Sequence, residues 1–319
     1  MINPNKKSIR IYGNGGTGVN ILSALMRELK KHDHLATVNP VYVDSSFSNS
    51  AADPELTYIV KDMDGAGKDR NEMLKPARRE APNILIKHPA EEINIMICSG
   101  GGATGAVVST ALAERIWEEG GTVVFFVAGS SESLKTAENS LKNFQTLNQV
   151  GQRAGRCPVI CYDSNGDNTR RDQVDEGMIK GLMALLDLYS GNHEELDSAD
   201  VAMWLRPEKA AKLDPQVVLL DIYPSRKDAE SREYPISVAI LHSADDRSSG
   251  AIPADYVTEG YRRDDMGQSL FFCIHTEGLK PITDELSGAI RDFNRRAASR
   301  SSLNKVMDNI NVGDEEDWG

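Results

Sequence analysis

Two glycine-rich segments and one pair of carboxylates are the parts of this 319-residue chain whose types and spacing could do chemistry. The first segment, Gly13-Asn14-Gly15-Gly16-Thr17-Gly18-Val19-Asn20, stands between a strand-like run and a helix-like one. Four glycines in six residues let the backbone approach an anion closely, and the N-terminus of the following helix aims N–H groups and partial positive charge at a phosphate. The second, Ser99-Gly100-Gly101-Gly102-Ala103-Thr104-Gly105-Ala106, repeats the arrangement directly after an apolar strand. One glycine turn suffices for a pyrophosphate; two on one sheet edge can grip the phosphates of a nucleoside triphosphate from opposite sides. The third feature is Glu195-Leu196-Asp197-Ser198-Ala199-Asp200-Val201, an Asp-x-x-Asp pair opening a helix. Such carboxylates commonly cap a helix, and beside phosphate loops they could also orient water or hold a metal ion.

The elements that must position these groups alternate. Strands are expected at 8–12, 39–44, 57–61, 93–98, 122–128 and 158–162, and amphipathic helices at 18–31, 104–119, 133–149 and 172–189. That order predicts an α/β fold, a parallel sheet with helices on both faces. The helix at 172–189, with Val174, Met178, Leu182, Leu185, Leu186 and Tyr189, is long and well patterned. After residue 190 the runs 217–223, 236–242 and 269–275 are separated by polar, Pro-containing segments, which suggests a smaller α+β unit. A helix follows from Pro281, with Ile282, Leu286, Ile290 and Phe293 on one stripe and Arg291, Arg295, Arg296, Arg300 and Lys305 exposed. It is expected to continue through Leu303, Val306 and Ile310 to Gly313, leaving an acidic tail.

Composition excludes several function classes. With 36 Lys+Arg against 48 Asp+Glu the net charge is −12, too acidic for a general duplex-DNA surface. No apolar run approaches the ~20 residues of a membrane span, and the start lacks a signal-peptide pattern, so the expectation is a cytoplasmic protein. Cys98, Cys157, Cys161 and Cys273 all fall in apolar runs and form no C-x-x-C pair, which reads as buried, reduced thiols at strand interiors. His32 and His34, two apart near a helix end, are expected to face different directions, and no metal site is expected from them.

Four features in order resemble the tubulin/FtsZ superfamily over nearly the whole chain. Residues 13–20 resemble its first nucleotide loop, 99–106 its GGGTGTG-type signature loop, 172–190 its central helix, and LDSADV its catalytic loop. The bacteriophage branch, the PhuZ-type phage tubulins, is the nearest likeness. Its marks here are the chain length, GGTGxN in the first loop, Gly65-Ala66-Gly67 in a third loop, SLxxxEN at 133–139 and the acidic tail.

The resemblance implies a polymerising GTPase using GTP/GDP and Mg2+, with the nucleotide on one subunit and the catalytic loop supplied by the next. Gly15, Gly16, Thr17 and Gly18 would cradle phosphates and Asn20 would face the guanine. Gly100, Gly101, Gly102, Thr104 and Gly105 would hold the β and γ phosphates, with Gly65 and Gly67 near the γ phosphate. Asp197 and Asp200 would position the attacking water and help hold Mg2+ across the interface. Phosphoryl transfer asks a protein chiefly to position groups and balance charge, which such a toolkit can do.

Guanine's N–H donors need an acceptor; Asp172, Asp175 and Glu176 share one face of the central helix, and Asp175 is the choice, helped by Asn165 or Asn168. Glu138 and Asn139 are candidates for ribose or base contact. The implied organisation is a GTP-binding domain at 1–171, a central helix at 172–191, an α+β activation domain at 192–278, and a C-terminal helix and tail at 279–319. The implied partner is the chain itself, with the tail 314–318, including Trp318, docking on a neighbouring subunit and the arginines of 291–300 candidate partners for it. No nucleic-acid or membrane partner is expected. The implied biological role is a filament that positions phage DNA in the cytoplasm of the infected bacterium.

This sequence departs from the family where Ser99 and Ala103 occupy glycine positions and where Glu195 stands in place of the Asn of bacterial relatives. Two alternatives remain open on the residues alone. An NAD-type Rossmann oxidoreductase would use the first loop, with Asp44 as its ribose acid; a nucleotide-binding scaffold without turnover would keep both loops and an inert Asp197/Asp200 pair.

Overall fold

The computed structural model describes residues 7–46, 53–166, 169–246, 252–263 and 267–308, with side chains described up to residue 300. The first half alternates as expected: β1 (Ser8–Asn14), α1 (Gly15–Leu29), β2 (Thr37–Asp44), β3 (Thr57–Ile59), α2 (Arg70–Lys87), β4 (Ile93–Ser99), α3 (Thr104–Glu118), β5 (Thr122–Ser130), α4 (Leu134–Ala154), β6 (Val159–Asn165) and α5 (Arg171–Leu188). The remainder comprises β7 (His193–Glu194), α6 (Ser198–Trp204), α7 (Pro207–Ala210), β8 (Val218–Tyr223), α8 (Arg226–Ala229), β9 (Ser237–His242), β10 (Tyr256–Arg262), β11 (Leu270–His275) and α9 (Leu279–Asp308).

Among the described residues the strands form one sheet in the order β3-β2-β1-β4-β5-β6-β8-β11-β9-β10-β7. Strands β3 to β6 are parallel throughout. Beyond them β11 runs antiparallel to both β8 and β9. The second half, expected as a smaller α+β unit, instead adds its strands to the same sheet in mixed orientation. Parallel strands buried on both faces must be largely apolar on both, and β4 and β5 are: Ile93 to Cys98 and Val123 to Val127 are all buried, and the one polar side chain among them, Asn94, donates to the Glu91 and Thr122 carbonyls.

Two apolar layers sandwich the sheet. On one face Ile9, Ile11, Ile97 and Phe126 pack with Leu22 and Leu25 of α1 and with Met178, Leu182 and Leu185 of α5. On the other, Tyr12, Val43, Met96 and Phe125 pack with α2, α3, α4 and Leu286 of α9. The middle of α5 lies over three strands: a Cβ built on Gly181 would stand 3.2 Å from Phe126, 3.8 Å from Ile222 and 3.9 Å from Cys161.

Besides the short β7, α7 and α8, two longer elements were not expected from the sequence. Helix α2 contains Pro76 and Pro82, each of which removes a backbone donor, yet Met73, Ala77, Ala81 and Ile84 reach the core and hold it helical. Strand β10 reads YVTEGYR, too polar and too Gly-interrupted to stand out, and it forms because β9 pairs along its full length.

Smaller expectations also change. Cys157 precedes β6 instead of lying inside a strand, and Cys161 is half-buried; burial still pushes the thiols of Cys98 and Cys157 up to about 11 and those of Cys161 and Cys273 to about 12. His32 and His34 do not face apart. Helix α1 ends at Leu29, and in the turn beyond it their rings meet edge to face at 5.7 Å. Among the described residues no helix is long and apolar enough to cross a membrane, and no group of three or more His, Cys, Asp or Glu is arranged to hold a metal. Gly313 and the acidic tail lie outside the described residues.

Candidate functional site

Strand order determines where a ligand can sit. The chain leaves β1 toward β2 on one side, while β4 pairs with β1 on the other, so β1 and β4 flank the switch point of the parallel sheet. Ligands of open α/β sheets bind outside the carboxyl ends of the strands at such a point. The residues following β1 and β4 are the two glycine loops.

These loops touch each other through their glycines. Gly15 has φ +68°, and a Cβ there would come within 2.8 Å of the Gly105 nitrogen; a Cβ on Gly105 would come within 2.4 Å of the Asn14 carbonyl oxygen. Only glycine permits this approach. Gly18 acts on packing instead, because a side chain there would meet the Ile97 carbonyl at 2.2 Å; its absence sets α1 closely against β4. Asn14, fully buried, donates from Nδ2 to Ser109 Oγ at 2.8 Å and ties the end of β1 to α3.

Both helices that begin at this point lack a side-chain cap. Neither Asn14 at α1 nor Ala103 at α3 supplies a capping hydrogen bond, and neither first turn holds an acidic residue. Several other helices are capped by side chains: Asp69 caps α2, Ser133 and Thr136 form a capping box at α4, and Asp197 caps α6. Two helix N-termini with side-chain-free amides therefore open into one cleft of about 420 Å³. Unpaired N–H groups and two aligned dipoles attract an anion.

The cleft is lined by Gly15, Gly16, Thr17, Asn20, Gly101, Gly102, Thr104, Gly105, Asn165 and Asp175 of the expected residues. It is also lined by residues that sequence reasoning does not single out, among them Lys68, Ser130, Thr136 and Arg171, and by Asp44, which the sequence suggests only as a ribose acid. At one end the Thr104 and Ser45 hydroxyls share a hydrogen bond of 2.8 Å, and Asp44 accepts from the Ser45 N–H at 2.7 Å. At the other end Asn165 donates to Glu132 at 2.8 Å, and Arg171 pairs with the same carboxylate. Burial first, and then the nearby Asp172, raises the pKa of Asp175, while Arg171 partly offsets this. A carboxylate held partly desolvated at a cleft wall is suited to accept from a ligand's N–H groups.

Other expected residues lie outside the cleft wall. Gly100 is buried, with its N–H donated to the Ala128 carbonyl at 2.8 Å, and Gly18 serves helix packing as described. Gly65 and Gly67 adopt left-handed φ of +83° and +52° in the turn that brings Lys68 to the cleft. Glu138 is half-buried and does not line it. Asn139, 1% exposed, stands behind the loops: its Nδ2 donates to the Lys68 carbonyl at 3.0 Å and the Gly101 carbonyl at 3.1 Å. It positions two loops without facing their ligand. Asn168 lies outside the described residues.

Asp197 and Asp200 are elsewhere. Asp197 Oδ1 accepts from the N–H groups of Ala199 at 2.8 Å and Asp200 at 2.9 Å, and Asp200 accepts from the Tyr256 hydroxyl at 3.2 Å. Burial and this carboxylate raise Tyr256 to about 12. Asp197 neighbours Leu188 and Tyr189 around a small cavity at the C-terminal end of α5, whereas Asp175 meets the large cleft near its N-terminal end. The 18 residues of α5 make these ends about 27 Å apart at 1.5 Å per residue. Within one chain the structure does not bring the carboxylate pair to the cleft.

Comparison with known proteins agrees with this geometry. The family described as phage tubulin-like protein, C-terminal domain, matches residues 196–278. A phage tubulin-like protein of Pseudomonas phage PhiPA3 is 26% identical over 311 residues, covering 95% of this chain and 96% of the relative. The solved protofilament of TubZ from bacteriophage PhiKZ superposes with a TM-score of 0.84 at 27% identity, covering 92% of this chain and 93% of that one. The phage tubulin PhuZ, solved with GDP, gives a TM-score of 0.83 at 24% identity, covering 91% and 92%. With the glycine loops at the switch point, the long central helix and the mixed second half, these likenesses give the chain the tubulin/FtsZ fold and make it similar, over nearly its whole length, to phage tubulin-like proteins.

Proposed function

We propose that this protein is a self-assembling GTPase whose site is completed between subunits. The observation that carries the reading is the pair of uncapped helix N-termini opening on one cleft, with the Asp197/Asp200 pair beyond the other end of α5, a helix about 27 Å long. The amides at Gly15 to Thr17 and at Thr104 and Gly105 receive the phosphates, with Lys68 adding positive charge. Asp175 and Asn20 face the guanine, whose N–H donors suit a carboxylate. Mg2+ arriving with the nucleotide would balance phosphate charge, and Asp197 and Asp200 of the next subunit would help hold it.

Asp197 and Asp200 of the next subunit then orient water over the γ phosphate. Positioning and charge balance are most of what phosphoryl transfer requires of a protein. The PhiKZ relative is described as a protofilament and the PhuZ structure as a GDP complex, which supports both halves of the reading. The division into GTP-binding domain, central helix, activation domain and C-terminal helix follows the same resemblance. So do docking of the tail 314–318 on a neighbouring subunit and a filament that positions phage DNA in the host cytoplasm.

A site shared between subunits makes turnover cooperative in protein concentration. Phosphate release per subunit is expected to rise steeply above a threshold concentration that matches the onset of light scattering. Constant specific activity across that threshold rejects the shared site, and NADH binding without GTP binding rejects the nucleotide class.

A further inference from the structure

A second polar pocket lies behind the nucleotide loops, between the start of α2 and the outer face of α4. It has a volume of about 250 Å³, and its lining includes Arg70, Lys135, Lys142 and Asn139. Arg70 is only 8% exposed, and its Nη1 is buried with no hydrogen-bond partner. Its Nη2 donates to Thr146 Oγ1 at 3.3 Å, a neutral and distant acceptor. Among the described residues no carboxylate lies within 4.0 Å of the charged groups of Arg70, Lys135 or Lys142. Asp69, at the rim, accepts instead from the Asn71 N–H at 2.9 Å.

A guanidinium buried without a counter-ion is costly, and burial indeed lowers the Arg70 pKa. A chain that retains such a group at a pocket wall, with two further cations at the mouth, is built for an anion from outside. The fork of a guanidinium and two ammonium groups matches a tetrahedral dianion better than a monovalent ion. One wall of the pocket is Asn139, the same side chain that joins the Lys68 and Gly101 carbonyls of the loops lining the nucleotide cleft.

We propose that the pocket at Arg70, Lys135 and Lys142 is a second anion site, selective for inorganic phosphate or a similar tetrahedral oxyanion, separated from the nucleotide cleft by Asn139. If the chain hydrolyses GTP, the ion released on one side of Asn139 is the ion this site takes on the other, and that link alone rests on the function proposed above. Occupancy of the site itself does not.

The test is a calorimetric titration of the full chain with inorganic phosphate at constant ionic strength, with and without saturating GDP. A phosphate site that persists under GDP is expected, weakened about tenfold or more in Arg70→Met, as expected for loss of a charge-assisted hydrogen bond. Lys142→Glu, at an exposed position, is expected to weaken phosphate binding without disturbing the core, so the result does not depend on how well Arg70→Met folds. Complete displacement of phosphate by GDP assigns the anion to the cleft and overturns the proposal. Unchanged phosphate affinity in Lys142→Glu and in folded Arg70→Met overturns it equally. Failure of GDP to bind at all, with phosphate binding still lost in these variants, would instead count against the nucleotide reading and leave the second site in place.

Discussion

The two ends of α5 are made of opposite materials. Around its N-terminal end, backbone N–H groups of α1 and α3 stand without side-chain partners and surround a cleft. Beyond its C-terminal end, the carboxylates of Asp197 and Asp200 already accept from backbone and tyrosine donors. One end has donors to offer an anion and the other has acceptors. A rigid helix keeps them apart in a single chain, whereas copies stacked along its axis would bring donor end to acceptor end. On the function proposed above, a monomer would hold both halves of a site and still be a poor catalyst.

The largest expected way to break this contrast is Asp200→Ala. Turnover is expected to fall at least about a hundredfold, the scale for losing a preorganised group in a reacting site, while sedimentable polymer persists. Undiminished phosphate release would remove the carboxylate end from the mechanism. At the donor end, Gly105→Ala places a methyl 2.4 Å from the Asn14 carbonyl oxygen and forces the loops apart, costing about 1–3 kcal/mol of stability and weakening GDP binding. Gly102→Ala, whose nearest neighbour would stand at 3.6 Å, should unfold at the parent temperature. Equal melting of the two variants would mean that the loops are not in close contact.

A smaller, pH-dependent effect is expected at Asp175. Burial raises its pKa above 3.8, so its contribution to stability is fully present below that value and is lost as pH rises through the raised pKa. Asp175→Asn should therefore raise the melting temperature of nucleotide-free protein at pH 7, with the gain shrinking as pH falls toward 4. The same variant should weaken GDP binding; tighter binding would exclude Asp175 from base recognition. The smallest effect is expected at Glu195, which holds a left-handed φ of +65°. Asn adopts this region several-fold more readily, so Glu195→Asn should add about 0.5 kcal/mol in chemical denaturation without changing GDP affinity at the other end.

What could be read from the sequence follows from how narrowly physics restricts each feature. The glycine loops were legible because contact between Gly15 and Gly105 tolerates no side chain, and the parallel strands because burial on both faces demands unbroken apolar runs. Lys68 and Arg171 were not, since a long cation reaching a cleft from a loop or a helix start leaves no periodic trace. Asn139 stood out within SLxxxEN, yet its nearly complete burial, which makes it a loop tie, depends on packing that no local pattern records. Helix α2 was hidden by Pro76 and Pro82, residues that argue against a helix until tertiary contacts overrule them. Ser130, at the carboxyl end of β5, could have been found by applying the strand-end rule to every strand instead of to the glycine motifs alone.

The sheet also has a mechanical weak point. Strands β5 and β6 stay in register from Val124–Val159 to Ser130–Asn165, but β6 meets β8 only through Val159–Val218 and Ile160–Leu219 among the described residues. Apart from the edge pair β10–β7, which also has two, this is the seam with the fewest rungs, and a ribbon bends most readily where rungs are few. Gly181 rests α5 across β5, β6 and β8 at that place, and the absence of a side chain there lets the helix lie low against the seam like a splint. At this seam the sheet is backed by a helix packed across three strands where the hydrogen bonds between strands are few.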